Sequence, residues 1–314
     1  MKNKKVVITG GAGFIGSNLA HELAKDNNVS VIDDLSTGRL ENISDLIEMK
    51  KIRFVHGSIL NLQLLQHIFH GIDFVFHQAA IPSVPRSIDD PILSNNVNIS
   101  GTLNVLIAAR DNKINKVIFA SSSSVYGDTP ILPKKEEMTP NPQSPYALTK
   151  LVGEYYCQLF HQIYGLSTIC LRYFNVYGLR QDSHSDYAAV IPKFIDCVCD
   201  KKPLIIYGDG NQTRDFTYIR DIVNANILAA ESQANGVYNI GTGESVTINN
   251  LVHLITEGLA ENIRPIYDNP RLGDIRDSLA DISSATKAFG YHPKYSLKNS
   301  VLEIIKNAEN FANG

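Results

Sequence analysis

Short runs rich in β-branched and aromatic residues recur along the first half of the chain, at 6–9, 29–32, 53–56, 74–77, 116–120 and 167–172. Apolar positions at helical spacing fill the gaps between them, most clearly over 97–111 and 146–163. Strand and helix patterns alternating at this spacing predict βαβ units. The fold class they imply is α/β, a Rossmann-type doubly wound parallel sheet. After Arg172 the pattern loosens around Pro192, Pro203, Gly208-Asp209-Gly210, Gly241-Thr242-Gly243 and Pro265, which reads as a smaller α/β C-terminal substrate lobe. Residues 216–230 and 237–240 again resemble a helix and a strand. The expected division is therefore a dinucleotide-binding domain over 1–172, rejoined by 215–240, and a lobe drawn mainly from 173–314. There are no repeats, heptads or low-complexity tracts.

Length supports this division, because 314 residues are many for one core. The chain is 44% hydrophobic and 19% charged with a formal net charge of −3, so nothing in bulk attracts it to nucleic acid or to an anionic membrane. No apolar run approaches the ~20 residues that span a bilayer. Lys2, Lys4 and Lys5 lead directly into a short strand, without the apolar run and cleavage site of a secretory signal, and a cytoplasmic protein is expected. Cys157, Cys170, Cys197 and Cys199 have no zinc spacing, and the nine His residues form no ligand pattern. Buried or half-buried thiols and no metal are expected.

The strongest local signal is Thr9-Gly10-Gly11-Ala12-Gly13-Phe14-Ile15-Gly16. It follows the apolar Val6-Val7-Ile8 and opens a stretch with Phe14, Ile15, Leu19 and Leu23 on one face. In a strand–turn–helix unit, glycines let the backbone turn tightly and approach a pyrophosphate, which rests on the free N–H groups of the helix N-terminus. Val29-Ser30-Val31-Ile32 then delivers Asp33 to the end of a second strand. A carboxylate there accepts both ribose hydroxyls of adenosine and repels a 2′-phosphate. The nearest cation, Arg39, lies beyond Asp34-Leu35-Ser36-Thr37-Gly38, so NAD is expected rather than NADP.

A second signal is Ser144-Pro145-Tyr146-Ala147-Leu148-Thr149-Lys150. Ser144 suits an N-cap and Pro145 the first helical position, which puts Tyr146 in the first turn and Lys150 on the same face. An ammonium and an oxidised nicotinamide both favour the phenolate. Bringing a phenol from ~10 to near 7 takes ~4 kcal/mol and makes a general base. The third member of such a site is a hydroxyl that positions a substrate alcohol. Ser121-Ser122-Ser123-Ser124 follows a predicted strand, at the end where doubly wound sheets carry chemistry, but the pattern does not say which serine acts.

Together these motifs, with Ser-Ser-Ser-Ser-Val125-Tyr126-Gly127, resemble the extended short-chain dehydrogenase/reductases, in particular the nucleotide-sugar 4-epimerases, and most closely those acting on UDP-N-acetylglucosamine. The likeness runs over nearly the whole chain, through His77-Gln78-Ala79-Ala80, Ser83-Val84-Pro85-Arg86-Ser87, Arg172-Tyr173-Phe174-Asn175, the Tyr187–Pro192 segment, Thr213-Arg214-Asp215-Phe216 and the stretch from Gly273 to Asp281. The resemblance makes Ser122 the catalytic serine, with Tyr146 and Lys150. It assigns the cofactor to Gly10, Gly13, Phe14, Ile15, Gly16, Asp33, Asp34, Ser36, Thr37, Gly38, Ser58, Ile59, Gln78, Ala79, Ala80 and Tyr173 beside Tyr146 and Lys150. It assigns the UDP-sugar to Ser83, Ser122, Ser123, Ser124, Tyr146, Asn175, Val190, Tyr207, Arg214, Arg271, Asp274 and Ser278. Gly57-Ser58-Ile59 departs from the family's Gly-Asp at the adenine contact.

The implied reaction oxidises the sugar 4-hydroxyl to a 4-keto intermediate, turns it, and reduces its other face. Dehydratases and decarboxylases of the family carry an acid where Ser123-Ser124 stand, so the chemistry is expected to stop there. A small Ser278 leaves room for an N-acetyl group, where a Tyr restricts the family to glucose and galactose. The alternatives are a UDP-glucuronate 4-epimerase, with Arg180 or Arg86 on the sugar carboxylate, a nucleotide-sugar dehydrogenase/reductase, and an NAD-sensing regulator. The 146–163 helix carries Leu148, Leu151, Val152, Tyr155, Leu159 and Ile163, a wide apolar stripe that resembles, with 97–111, the family's homodimer helices.

Overall fold

The computed structural model describes residues 1–182, 189–259, 263–269 and 275–312, with side chains as far as residue 306. Six parallel strands, β1 (Lys5–Thr9), β2 (Asn28–Asp33), β3 (Ile52–His56), β4 (Phe74–His77), β5 (Lys116–Ser122) and β6 (Thr168–Tyr173), are joined at the β6 edge by Gly236–Ile240. The order across the sheet is β3-β2-β1-β4-β5-β6 and then the 236–240 strand. The order reverses between β1 and β4, and at such a switch point the strand ends splay open into a crevice.

Both faces of the sheet are covered. Val6 and Ile8 of β1 pack into one hydrophobic cluster and Val7 into another on the opposite face. Phe76 and Ile118 join the first, and Val75, Val117 and Phe119 the second. A strand buried on both faces needs no polar alternation, which is why the sequence shows these strands as continuous apolar runs.

The helix Pro145–Tyr164 has the caps its sequence implies: Ser144 accepts the Ala147 N–H, Pro145 opens it, and Gly165 ends it at φ 70°. The expected 97–111 helix divides into a π-helical turn, Asn96–Gly101, and the α-helix Thr102–Asp111. The helix expected from residue 216 starts later, at Ile219, because Phe216 is buried in extended backbone and Thr217–Tyr218 pairs with Val176–Tyr177. The stretch expected as a lobe contains the helices Val190–Cys199, Ile248–Gly258, Ser283–Phe289 and Leu297–Ala312 and two further small sheets, Ile205–Tyr207 beside Ile266–Asp268 and Thr213–Arg214 beside Val246–Thr247. Cys157 and Cys170 are buried and Cys197 half-buried, but Cys199 departs from expectation and is exposed at the end of its helix.

Candidate active site

At the end of β1 the backbone of Gly10 turns at φ 70°, and a Cβ there would lie 2.6 Å from the backbone of Ala79. A Cβ on Gly16 would meet the Gly10 carbonyl oxygen at 2.1 Å. Only glycine permits this approach of turn, helix and neighbouring strand. The helix Phe14–Leu23 begins here, and no side chain caps its first N–H groups. They remain available to an anion.

Asp33 ends β2. Its Oδ2 accepts the Ala12 N–H and its Oδ1 the Leu35 N–H, both at 2.9 Å. Burial raises its pKa, and these two bonds work the other way. A Cβ on Gly38 would come within 2.9 Å of Asp33 Oδ1, so the loop closes against the carboxylate. Asp34 is pushed up by burial, yet hydrogen bonds with Ser36 and Ser58 hold it below the usual carboxylate range.

These groups border a cleft of about 680 Å³. Every residue expected to hold the cofactor lines it except Gly38, which sits behind Asp33, and Ser58, whose hydroxyl is engaged with Asp34. Arg39, Asn42, Ile81, Pro82, Arg86, Val97, Arg180, Gln181 and Asp182 line it as well. Of these, only Arg86 and Arg180 carried a functional expectation. Arg39 pairs with Asp182 at 2.9 Å and Arg180 with Asn18 Oδ1 at 3.1 Å, contacts across 143 and 162 residues of sequence that no local pattern reveals. A turn that a Cβ would fill, an uncapped helix start and an acid at the second strand's end fit a dinucleotide such as NAD.

At the other end of the cleft, Tyr146 sits in the first turn of its helix, its N–H bonded to Ser87 Oγ at 3.0 Å. Ser122 is the serine whose side chain acts on the Tyr146 hydroxyl and favours the phenolate. Ser124 donates to Ser122 Oγ through its N–H at 3.2 Å and its hydroxyl at 2.9 Å. Ser121 donates to the buried carboxylate of Glu154, further along the same helix. The geometry therefore separates serines that the strand pattern by itself left equivalent, with Ser122 at the phenol.

Lys150 is buried 5.8 Å from the Tyr146 ring centroid and donates to the Ala120 carbonyl at 2.8 Å. Burial lowers its pKa to about 8. Burial also pushes Tyr146 up to about 12, with only the Ser122 side chain acting against it. The phenol is thus held far above neutrality, and that is the gap the two expected cations, the Lys150 ammonium and the oxidised nicotinamide, have to close.

A second cavity, of about 280 Å³, opens in the lobe, and Ala189 lines both. Asn175, Val190, Tyr207 and Arg214 line it together with Phe216. Arg214 is anchored through Nη1 to the carbonyls of Thr213 and Arg276, at 2.8 and 3.0 Å. Ser278 is buried at 7% exposure beside Asn175, which donates to its hydroxyl at 3.4 Å. Ser83 and Ser121 line the main cleft, whereas Ser122, Ser123, Ser124 and Ser278 line neither cavity. Arg271 and Asp274 lie outside the described residues. Among the described residues no His, Cys, Asp or Glu cluster could hold a metal ion, and no helix is long and apolar enough to cross a membrane.

Residues 6–241 match the model of the NAD dependent epimerase/dehydratase family. A putative UDP-glucose 4-epimerase of Methanocaldococcus jannaschii is 39% identical over 97% of this chain and 98% of its own. The UDP-N-acetylglucosamine 4-epimerase of Methanobrevibacter ruminantium, solved with UDP-N-acetylmuramic acid, superposes with a TM-score of 0.96 at 44% identity, covering 99% of this chain and 100% of that one. The UDP-glucuronic acid 4-epimerase of Bacillus cereus, solved with UDP-glucuronic acid and NAD, gives 0.87 at 34% identity, over 97% of this chain and 99% of that one. With its glycine turn, its Ser122–Tyr146 contact and a matching span over most of its length, the chain belongs to the NAD dependent epimerase/dehydratase family.

Proposed function

We propose that the protein is an NAD-dependent UDP-sugar 4-epimerase whose substrates are UDP-GlcNAc and UDP-GalNAc. The observation that carries this reading is the meeting of Ser122, at the end of β5, with Tyr146 and the Lys150 ammonium, the last two lining the cleft that the glycine turn borders. Bound NAD would supply the acceptor and donor of the hydride and, in its oxidised ring, a positive charge. Tyr146 takes the proton of the 4-hydroxyl while Ser122 orients that oxygen. Lys150 keeps the phenolate stable. The lobe holds the UDP, Tyr207 along the base and Arg214 at the phosphates, where a fork of N–H donors suits phosphate oxygens. Gripping the nucleotide leaves the sugar free to turn over and retains the 4-keto intermediate.

The carboxylates lining the cleft among the described residues are Asp33, Asp34 and Asp182, all at the Arg39 end. Among the described residues Tyr146 therefore has no acid beside it in the cleft for an elimination, which supports a reaction confined to one carbinol. Ser278 supports the acetylated pair. It is small and buried, and it is bonded to Asn175, which lines the second cavity. A second reading, UDP-glucuronate 4-epimerase, draws support from Arg86 and Arg180 in the cleft lining.

Leu148, Tyr155, Leu159 and Ile163 leave an exposed apolar stripe on the helix Pro145–Tyr164, which supports a homodimer, to be weighed by sedimentation. We place the enzyme in the cytoplasm. Tyr146→Phe tests the mechanism: it should keep its bound NAD and lose about 10²-fold or more in kcat. Turnover near the wild-type rate on the best UDP-sugar would overturn the reading.

A further inference from the structure

Glu154 lies one helical turn beyond Lys150 and is 1% exposed. Its carboxylate takes Arg172 of β6 in a two-point grip, Nε on Oε1 at 2.8 Å and Nη2 on Oε2 at 2.7 Å. The third donor to this carboxylate is the Ser121 hydroxyl. Neither Glu154 nor Arg172 lines either cavity. On its other side the guanidinium lies 4.7 Å from the Tyr126 ring centroid, and Tyr126 donates to Asn239 Oδ1 at 2.7 Å. Tyr126 closes the 3₁₀ turn Ser123–Tyr126.

The backbone on both sides of Ser122 is thus tied to one buried ion pair. Ser121 and Ser122 are consecutive in β5 and both meet the helix Pro145–Tyr164, Ser121 at Glu154 and Ser122 at Tyr146. Holding Ser121 on Glu154 fixes the strand end from which Ser122 reaches Tyr146. A buried ion pair adds little net stability, because desolvation offsets the attraction, and well-packed apolar residues often replace it without loss. Its use here is geometric.

We propose that the Glu154–Arg172 pair is the positioning device of the active site, setting Ser122 against Tyr146 through Ser121 and Tyr126; this rests on the epimerase reading above. Glu154 and Arg172 are positioning residues rather than catalytic ones.

Ser121→Ala removes one hydroxyl and leaves the ion pair intact. It should lower kcat about 5- to 50-fold, with KM for UDP-GlcNAc and NAD content unchanged. The acid limb of kcat should move to higher pH, since the Ser122 side chain is what holds the phenol down. In a Ser122→Ala background the same change should cost less than about 2-fold, because Ser121 acts through Ser122. Glu154→Leu with Arg172→Met should reproduce the loss in kcat and the shifted limb.

Wild-type kcat and an unmoved limb in Ser121→Ala would overturn the proposal. So would an effect that adds in full to that of Ser122→Ala. If Ser122→Ala and Tyr146→Phe were themselves fully active, the epimerase reading would fall, and this inference with it. If both were impaired while Ser121→Ala matched wild type, only the positioning role would fall.

Discussion

Lys150→Met removes one ammonium while keeping the length of the side chain, and its effect can be worked out from the site. At pH 7 Lys150, held at about 8, still carries most of its charge. Tyr146, at about 12, must come down by about 5 units to serve as a base there, roughly 7 kcal/mol. The ammonium is 5.8 Å from the phenol ring centroid. With an effective dielectric of ~20 this is worth ~3 kcal/mol, or ~2 of those units. The other ~3 units, roughly 4 kcal/mol, fall to the charge of the oxidised cofactor. In the variant the acid limb of kcat should therefore rise by ~2 pH units, costing ~100-fold at pH 7 and little above about pH 9. The assay is the initial rate of UDP-GlcNAc conversion from about pH 6 to about pH 10, on protein whose bound NAD has been counted. A loss that is uniform across pH, with the limb unmoved, would refute the reasoning. Lys150 would then act only through its bond to Ala120.

Purified protein should carry NAD without added cofactor, as a redox-neutral cycle gains nothing from release, and Gly16→Ala should lose it, because a Cβ 2.1 Å from the Gly10 carbonyl forces the turn open. Denaturing each protein and assaying NAD in the supernatant checks both statements. Ser278→Tyr should cut conversion of the acetylated sugars by ~10²-fold or more while sparing UDP-Glc and UDP-Gal, since a packed ring excludes an acetamide by overlap; a product panel reads this directly.

The six strands are legible in the sequence to within a residue or two because most are apolar and β-branched, β1, β4 and β5 being continuous apolar runs through burial on both faces. The lobe is not, because its strands are two or three residues long, too short for any period to register. The π-helical turn Asn96–Gly101 hides for a related reason: its apolar spacing reads as α-helix, and the altered hydrogen bonding leaves no mark on that spacing. Local motifs located the glycine turn, Asp33, Tyr146 and Lys150, since each is defined by neighbours in sequence. What brings Asp182 to Arg39, or Glu154 between Ser121 and Arg172, is tertiary packing.

The central claim is that one carbinol is oxidised and reduced within a single turnover. Protein as purified should be mixed with UDP-GlcNAc, without added cofactor, and followed by product chromatography together with the near-ultraviolet absorbance of reduced nicotinamide. UDP-GalNAc should accumulate to a constant ratio with no net formation of reduced cofactor. Unchanged UDP-GlcNAc and UDP-GalNAc, or a product formed only as added NAD is consumed in equal amount, would contradict the account.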